Sequence, residues 1–210
     1  ACTKRKDVQK GIRLHDEILR RGLLDRKNPY VASTLINMYS KCGMLEKAKY
    51  VLGKLPVRDI VSWSALITGY AHGGQGHEAL ECFAQMQREG HYPDDVTFLC
   101  VLKACCHAGK LDDAQTYYEN MSRKYGILLN LQHLTCMVVI YGCAGQFDKA
   151  ISVIQLMPSL ECLSVWIAVL GGCRKWGNVT LGMLAFDQAL QLDSNCAAAY
   201  ENLELGICSE

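Results

Sequence analysis

One short phrase recurs along the chain, and its spacing limits the possible folds more than any other feature. It reads Tyr39-Ser40-Lys41-Cys42-Gly43, Tyr70-Ala71-His72-Gly73-Gly74, Cys105-Cys106-His107-Ala108-Gly109, Tyr141-Gly142-Cys143-Ala144-Gly145 and Cys173-Arg174-Lys175-Trp176-Gly177. The final glycines lie 31, 35, 36 and 32 residues apart, and five positions after each of the first four stands an alanine: Ala48, Ala79, Ala114 and Ala150. Periods of this size belong to stacked repeat arrays, in which each unit buries its apolar face against its neighbours and not in one central core.

Each unit reads as two helices, an apolar-periodic segment before the glycine (33–41 in the first unit) and a second one after it (45–52). The glycine ends the first helix because it adopts a positive φ at little cost. The alanine then falls where the second helix approaches the first, and a bulky side chain there would push the pair apart. Pro29, Pro56, Pro93 and Pro158 all fall in or beside the connections between units, where a missing amide donor does least harm. The expected fold is all-α, a right-handed α-solenoid superhelix of helix-turn-helix repeats.

Composition narrows the class further. Of the 210 residues, 50% are hydrophobic and 20% charged, which excludes disorder as the main state. No stretch approaches the roughly 18 uncharged apolar residues of a membrane span. Twelve cysteines are scattered without a Cys-x-x-Cys pair, so they are expected to pack as small hydrophobes and not to hold zinc or form disulfides. The net charge of +1 hides an asymmetry: residues 1–27 carry nine Lys or Arg against four acids, whereas 178–210 carry five acids and no Lys or Arg. The first region favours phosphate and the second repels it.

The phrases at 59–67 (Asp59 through Trp63 to Ile67), 93–98 (Pro93-Asp94-Asp95-Val96-Thr97-Phe98) and 38–46 resemble plant pentatricopeptide repeat (PPR) proteins. The alternating lengths resemble the PLS class: a partial long motif at 1–28, a short motif at 29–59, a standard one at 60–94, a long one at 95–130 and a short one at 131–162. Residues 163–196 are similar to the first extension motif (E1) of that class, and 197–210 to the start of a second. On this alignment Ala1 falls inside a repeat, more repeats are expected upstream, and no catalytic domain is expected to follow.

The resemblance implies binding of single-stranded RNA, one base per repeat, through the fifth residue of the first helix and the last residue of the repeat. The implied pairs are Ser33 with Asp59, Ser64 with Asp94, Leu99 with Asn130, and Thr135 with Cys162. An ionised Asp only accepts hydrogen bonds, so it suits the N–H groups of guanine or uracil and not adenine or cytosine; a small hydroxyl beside it leaves room for a purine. Two adjacent guanines are expected, read 5′ to 3′ as the chain runs N to C. Leu99 offers apolar contact alone and marks a tolerant unit, and Cys162 weakens selection by Thr135. The second residues, Tyr30, Val61, Val96 and Gln132, are implied to sandwich neighbouring bases, with the aromatic Tyr30 gripping most firmly.

Other features carry less. His15-Asp16-Glu17 matches half of a zinc deaminase signature by chance, since no Cys-x-x-Cys follows. His72 and His107 share a register near helix ends and are expected to meet free carbonyls. Trp63 and Trp166 read as packing anchors, with Trp176 exposed at a turn. Lys4-Arg5-Lys6 and Arg20-Arg21 could contact phosphate. The stretch 189–200 is similar to a tetratricopeptide helix junction, and its acidity suits a protein partner.

The family thus implies site recognition for C-to-U RNA editing in a chloroplast or mitochondrion, with a trans-acting deaminase or accessory protein docking through residues 163–210. No enzyme activity, metal, cofactor or membrane is implied for the chain itself. The alternatives are an RNA splicing or stabilisation factor, or a protein scaffold within a ribonucleoprotein.

Overall fold

The computed structural model describes residues 5–22, 29–55, 57–157 and 162–207, and every regular element among them is an α-helix. The chain forms two compact units, Ala1–Ala108 and Gly109–Glu210. The first holds α1 (Arg5–Arg20), α2 (Pro29–Lys41), α3 (Leu45–Lys54), α4 (Ile60–His72), α5 (Gly76–Arg88) and α6 (Asp95–Ala108). The second holds α7 (Leu111–Arg123), α8 (Leu131–Cys143), α9 (Phe147–Gln155), α10 (Leu163–Trp176), α11 (Val179–Leu192) and α12 (Ala197–Ile207).

In the first unit α2 and α3 form one antiparallel hairpin and α4 and α5 the next, while α1 packs on α2. The leading helices α2, α4 and α6 stand side by side in a row, and each trailing helix also leans on the next leading helix, α3 on α4 and α5 on α6. The second unit repeats the pattern with hairpins α8/α9 and α10/α11, α8 beside α10, α7 against α8, and α12 against α10 and α11. A residue such as Phe83 on α5 is thereby fully buried against the next repeat, its ring edge-on to Phe98 at 5.7 Å between centroids.

The recurrent glycine does what its position demands. Gly43, Gly74, Gly109, Gly145 and Gly177 all have φ between 66° and 73°. The left-handed turn lets the following amide reach back five residues, as in Met44 N–H to the Tyr39 carbonyl (2.9 Å) and Gln146 N–H to that of Tyr141 (2.9 Å). These bonds satisfy carbonyls that a helix end otherwise leaves open. His72 and His107 were expected to serve those carbonyls. Both are exposed and neither ring makes such a bond; at His72 the backbone already closes the turn, with Gly74 N–H on the Ala71 carbonyl and Gln75 N–H on that of Tyr70.

The alanines Ala48, Ala79, Ala114 and Ala150 are all buried, with at most 1% exposure. The residue that opens each recurrent phrase is also buried, whether Tyr39, Tyr70 and Tyr141 or the cysteines Cys105 and Cys173, so Cys substitutes for an aromatic as core filler. The closest approaches, however, are made by glycines outside the phrase's final position. A Cβ on Gly69 would stand 2.5 Å from Ser40 Cβ, one on Gly172 2.8 Å from the Gly142 carbonyl oxygen, and one on Gly76 2.4 Å from that of Ala104. Small residues at these crossings set how tightly adjacent helices pack. Pro29 opens α2 and Pro93 precedes α6, whereas Pro56 and Pro158 lie outside the described residues.

Candidate nucleic-acid interface

The twelve residues singled out in the sequence fall on or just before the first turn of a leading helix. Residues two and five of a repeat are one turn apart on a helix and therefore share a face. Tyr30 is 79% exposed, Val61 and Val96 are about half exposed, and Gln132 is also exposed. The fifth residues lie deeper: Ser33 is buried, while Ser64, Leu99 and Thr135 are half-buried. An exposed second residue over a recessed fifth one leaves a shallow notch at the start of each leading helix.

The last residue of a repeat caps the next leading helix. Asp59 accepts the Ser62 N–H through Oδ1 at 2.8 Å, and Asp94 accepts the Thr97 N–H through Oδ1 at 2.8 Å. Asn130 accepts the His133 N–H at 3.1 Å, and His133 Nδ1 accepts the Asn130 N–H in return at 3.3 Å, a reciprocal capping box. Cys162 occupies the same place before α10 but gives no cap bond, its thiol lying 3.1 Å from Ser164 Oγ. Sequence reasoning treated Asp59 and Asp94 as acceptors only and missed this capping role. The signal was available, since Asp and Asn are favoured immediately before a helix.

Because a carboxylate has two oxygens, capping with Oδ1 leaves Oδ2 of Asp59 and of Asp94 as an acceptor beside the notch. α4 packs beside α2 and α6, and across the second of these contacts Thr97 links Ser64 to Asp94. Leu99 lies on α6 of the first unit, and Asn130 caps α8 of the second. Thr135 on α8 and Cys162 at the start of α10 share the second unit.

The fifth-position hydroxyls are not equivalent. Ser33 donates back to the Tyr30 carbonyl (3.2 Å), and Thr135 to that of Leu131 (2.8 Å). Ser64 Oγ instead lies 2.7 Å from Thr97 Oγ1 on α6, and that hydroxyl donates to Asp94 Oδ1.

The remaining features have structural occupations. His15 is buried with Nδ1 2.8 Å from the Tyr39 hydroxyl, and Glu17 pairs with Arg20 (3.0 Å) and Arg21 (2.6 Å). The His-x-Glu match is therefore dismantled by packing, and the two arginines are ion-paired on an exposed surface. The side chains of Lys4, Arg5 and Lys6 lie outside those described. Trp63 and Trp166 are buried anchors as expected, and Trp176 is 54% exposed. Trp63 donates to Glu89 at 3.1 Å, and Glu89 also bonds Arg58. Burial works against ionisation of Glu89, but donors from Gln85, Trp63 and Arg58 hold its carboxyl below the usual range. Among the described residues no three His, Cys, Asp or Glu side chains gather as metal ligands, and no helix is long and apolar enough to cross a membrane.

Helical hairpins of about 31–36 residues with a capped, notched leading helix define a class of α-helical repeat protein. Two descriptions of the PPR repeat match this chain, one over residues 58–107 and the other over 30–60, 96–125 and 133–162. The chain belongs to the pentatricopeptide repeat family. It is 38% identical to pentatricopeptide repeat-containing protein At3g29230 of Arabidopsis thaliana over 97% of this chain and 35% of that protein. It is 36% identical to At1g56690, mitochondrial, from the same plant, over 95% of this chain and 28% of that protein. The chain thus spans about a third of the length of such relatives. In fold it is similar to the PPR domain of Arabidopsis thaliana protein-only RNase P 1, solved with tRNA (TM-score 0.64, 16% identity, 83% of this chain and 95% of that one). It is likewise similar to PPR10, solved with an 18-nt psaJ RNA element (TM-score 0.61, 17% identity, 84% of this chain and 27% of that one).

Proposed function

We propose that this chain binds single-stranded RNA along its leading helices and reads two adjacent guanines, the first with Ser33 and Asp59 and the second with Ser64 and Asp94. The observation that carries this reading is the double duty of the two aspartates. Each is fixed by a cap bond through one oxygen and keeps the other as a pure acceptor next to an exposed second-position side chain. A pre-positioned acceptor suits a guanine edge, whose ring N–H and amino group both donate, and single strands present that edge free of pairing. Tyr30, Val61, Val96 and Gln132 then flank the bases. Thr135 with Cys162 contributes weaker selection. The RNA-bound states of protein-only RNase P 1 and PPR10 support the same use of the fold.

The PLS arrangement of repeats, with the hairpin α10/α11 as an extension motif, supports a role in site recognition for organelle C-to-U editing. The deaminase is then supplied by a partner that docks on residues 163–210. Val179, Met183 and Leu184 are exposed apolar side chains on α11 in an otherwise acidic segment, which suits an apolar and basic partner surface. The mitochondrial label on one relative supports an organelle address. The chain in this reading recognises RNA and leaves the chemistry to another protein.

Fluorescence anisotropy at low salt with short RNAs carrying GG or AA at the read positions tests this proposal. GG is expected to bind at least about thirty-fold more tightly, since each wrong base costs about 1–3 kcal/mol and AA presents two of them. Replacing both Asp59 and Asp94 with Asn, which presents a donor as well as an acceptor, is expected to move preference toward adenine. Binding that ignores both the RNA change and the protein change would point to a scaffold role.

A further inference from the structure

Within the base-reading just proposed, on which this inference rests, we infer that Thr97 is a positioning residue: its buried hydroxyl joins Ser64 to Asp94 and fixes Ser64 as a hydrogen-bond acceptor toward the base. Three bonds carry the argument. Thr97 is 0% exposed, its backbone N–H and its hydroxyl both donate to Asp94 Oδ1, and its oxygen lies 2.7 Å from Ser64 Oγ. A threonine hydroxyl has one proton. With that proton directed at the carboxylate, the stronger acceptor, Thr97 can only accept from Ser64, so the Ser64 proton is used inward. What Ser64 then turns outward is a lone pair.

The consequence is a notch whose two polar groups, Ser64 Oγ and Asp94 Oδ2, both accept. Such a pair matches a base edge that offers two donors and repels one that offers a ring acceptor. The preceding notch is built differently. Ser62 occupies the place equivalent to Thr97, yet Asp59 is bonded by its backbone N–H, and Ser33 turns its own hydroxyl back to the Tyr30 carbonyl. Nothing in that arrangement couples Ser33 to Asp59. The two guanine notches, identical in their paired residues, therefore differ in strictness because of a residue three places beyond the aspartate.

The test compares the wild-type chain with Thr97→Val, Thr97→Ser and Ser62→Ala, titrated against GG, AG and GA RNAs, with thermal unfolding alongside. Wild type is expected to reject GA. Thr97→Val, close in shape and without the hydroxyl, should lose about ten-fold of the discrimination between GG and GA. Thr97→Ser should restore it, and Ser62→Ala should leave discrimination between GG and AG unchanged. Thr97→Ala serves the same purpose if the valine variant does not fold. Retained discrimination in a folded Thr97→Val or Thr97→Ala chain overturns the relay and leaves the base-reading intact. A wild-type chain indifferent to GG, AG and GA overturns the base-reading and the relay with it.

Discussion

Hydroxyls and thiols in this chain take their properties from what lies one helix away. The Tyr70 hydroxyl is buried without a hydrogen-bond partner, and burial pushes its pKa up to about 12. A phenol whose folded-state value exceeds its unfolded value of about 10 contributes stability in full below that pH and loses it as pH climbs toward 12. Tyr70→Phe is therefore expected to change stability at pH 7 by no more than about 1 kcal/mol and to flatten the alkaline decline between about pH 10 and pH 12, as read by urea unfolding. Burial likewise raises the thiols of Cys82 and Cys173 to about 11, whereas Cys143 is exposed. A thiol reagent at pH 8 should label Cys143 in the folded chain and reach Cys82 and Cys173 only after denaturation, which peptide mapping would show. The Ser-and-Asp pairs were indicated by the family resemblance, carried over along the repeat register. That Thr97 stands between Ser64 and Asp94 was not, because the three meet only when α4 packs on α6.

The helices themselves were written plainly in the sequence, and their contacts less so. A positive φ at Gly43 and its equivalents is a local requirement, so the recurrent phrase announced every hairpin turn. The crossings were different. Gly76, at the start of α5, meets the Ala104 carbonyl on α6, a contact between residues 28 apart that no local pattern reveals. Gly76→Ala should force α5 away from α6 and cost about 1–3 kcal/mol in chemical unfolding. Gly53 is the opposite case, a helical glycine in α3 with open space around the position of a Cβ. Gly53→Ala should stabilise by about 0.4–1 kcal/mol, because it narrows the unfolded ensemble and strains nothing. The two glycines look alike in sequence, and the opposite signs follow from what stands beside them.

Across the whole molecule, each repeat gains its burial from its immediate neighbours, so stability should behave as a sum of local terms. Gly172, pressed on the Gly142 carbonyl where α10 crosses α8, gives the second unit a counterpart to Gly76. Hydrogen exchange is expected to show Gly76→Ala loosening α4, α5 and α6 while leaving α8 to α11 protected, and Gly172→Ala doing the reverse. The double variant should lose the sum of the two single losses within about 0.5 kcal/mol. A larger discrepancy would show cooperativity beyond nearest neighbours.

The sequence alone determined the repeat, its helical hairpins, the glycine turns, the buried alanines and the buried Trp63 and Trp166. These follow from short-range rules, in which conformational preference and helical periodicity act within one or two turns. Only the tertiary structure decided that Asp59 and Asp94 spend one oxygen on a helix cap, that His72 and His107 serve no carbonyl, and that His15 is locked against Tyr39. It alone separated Ser64, tied through Thr97 to Asp94, from Ser33, tied to its own helix. The physical reason is one of range: a hydrogen bond between side chains some 30 residues apart depends on the distance and rotation at which two helices pack, and those are set by the small residues at the crossings.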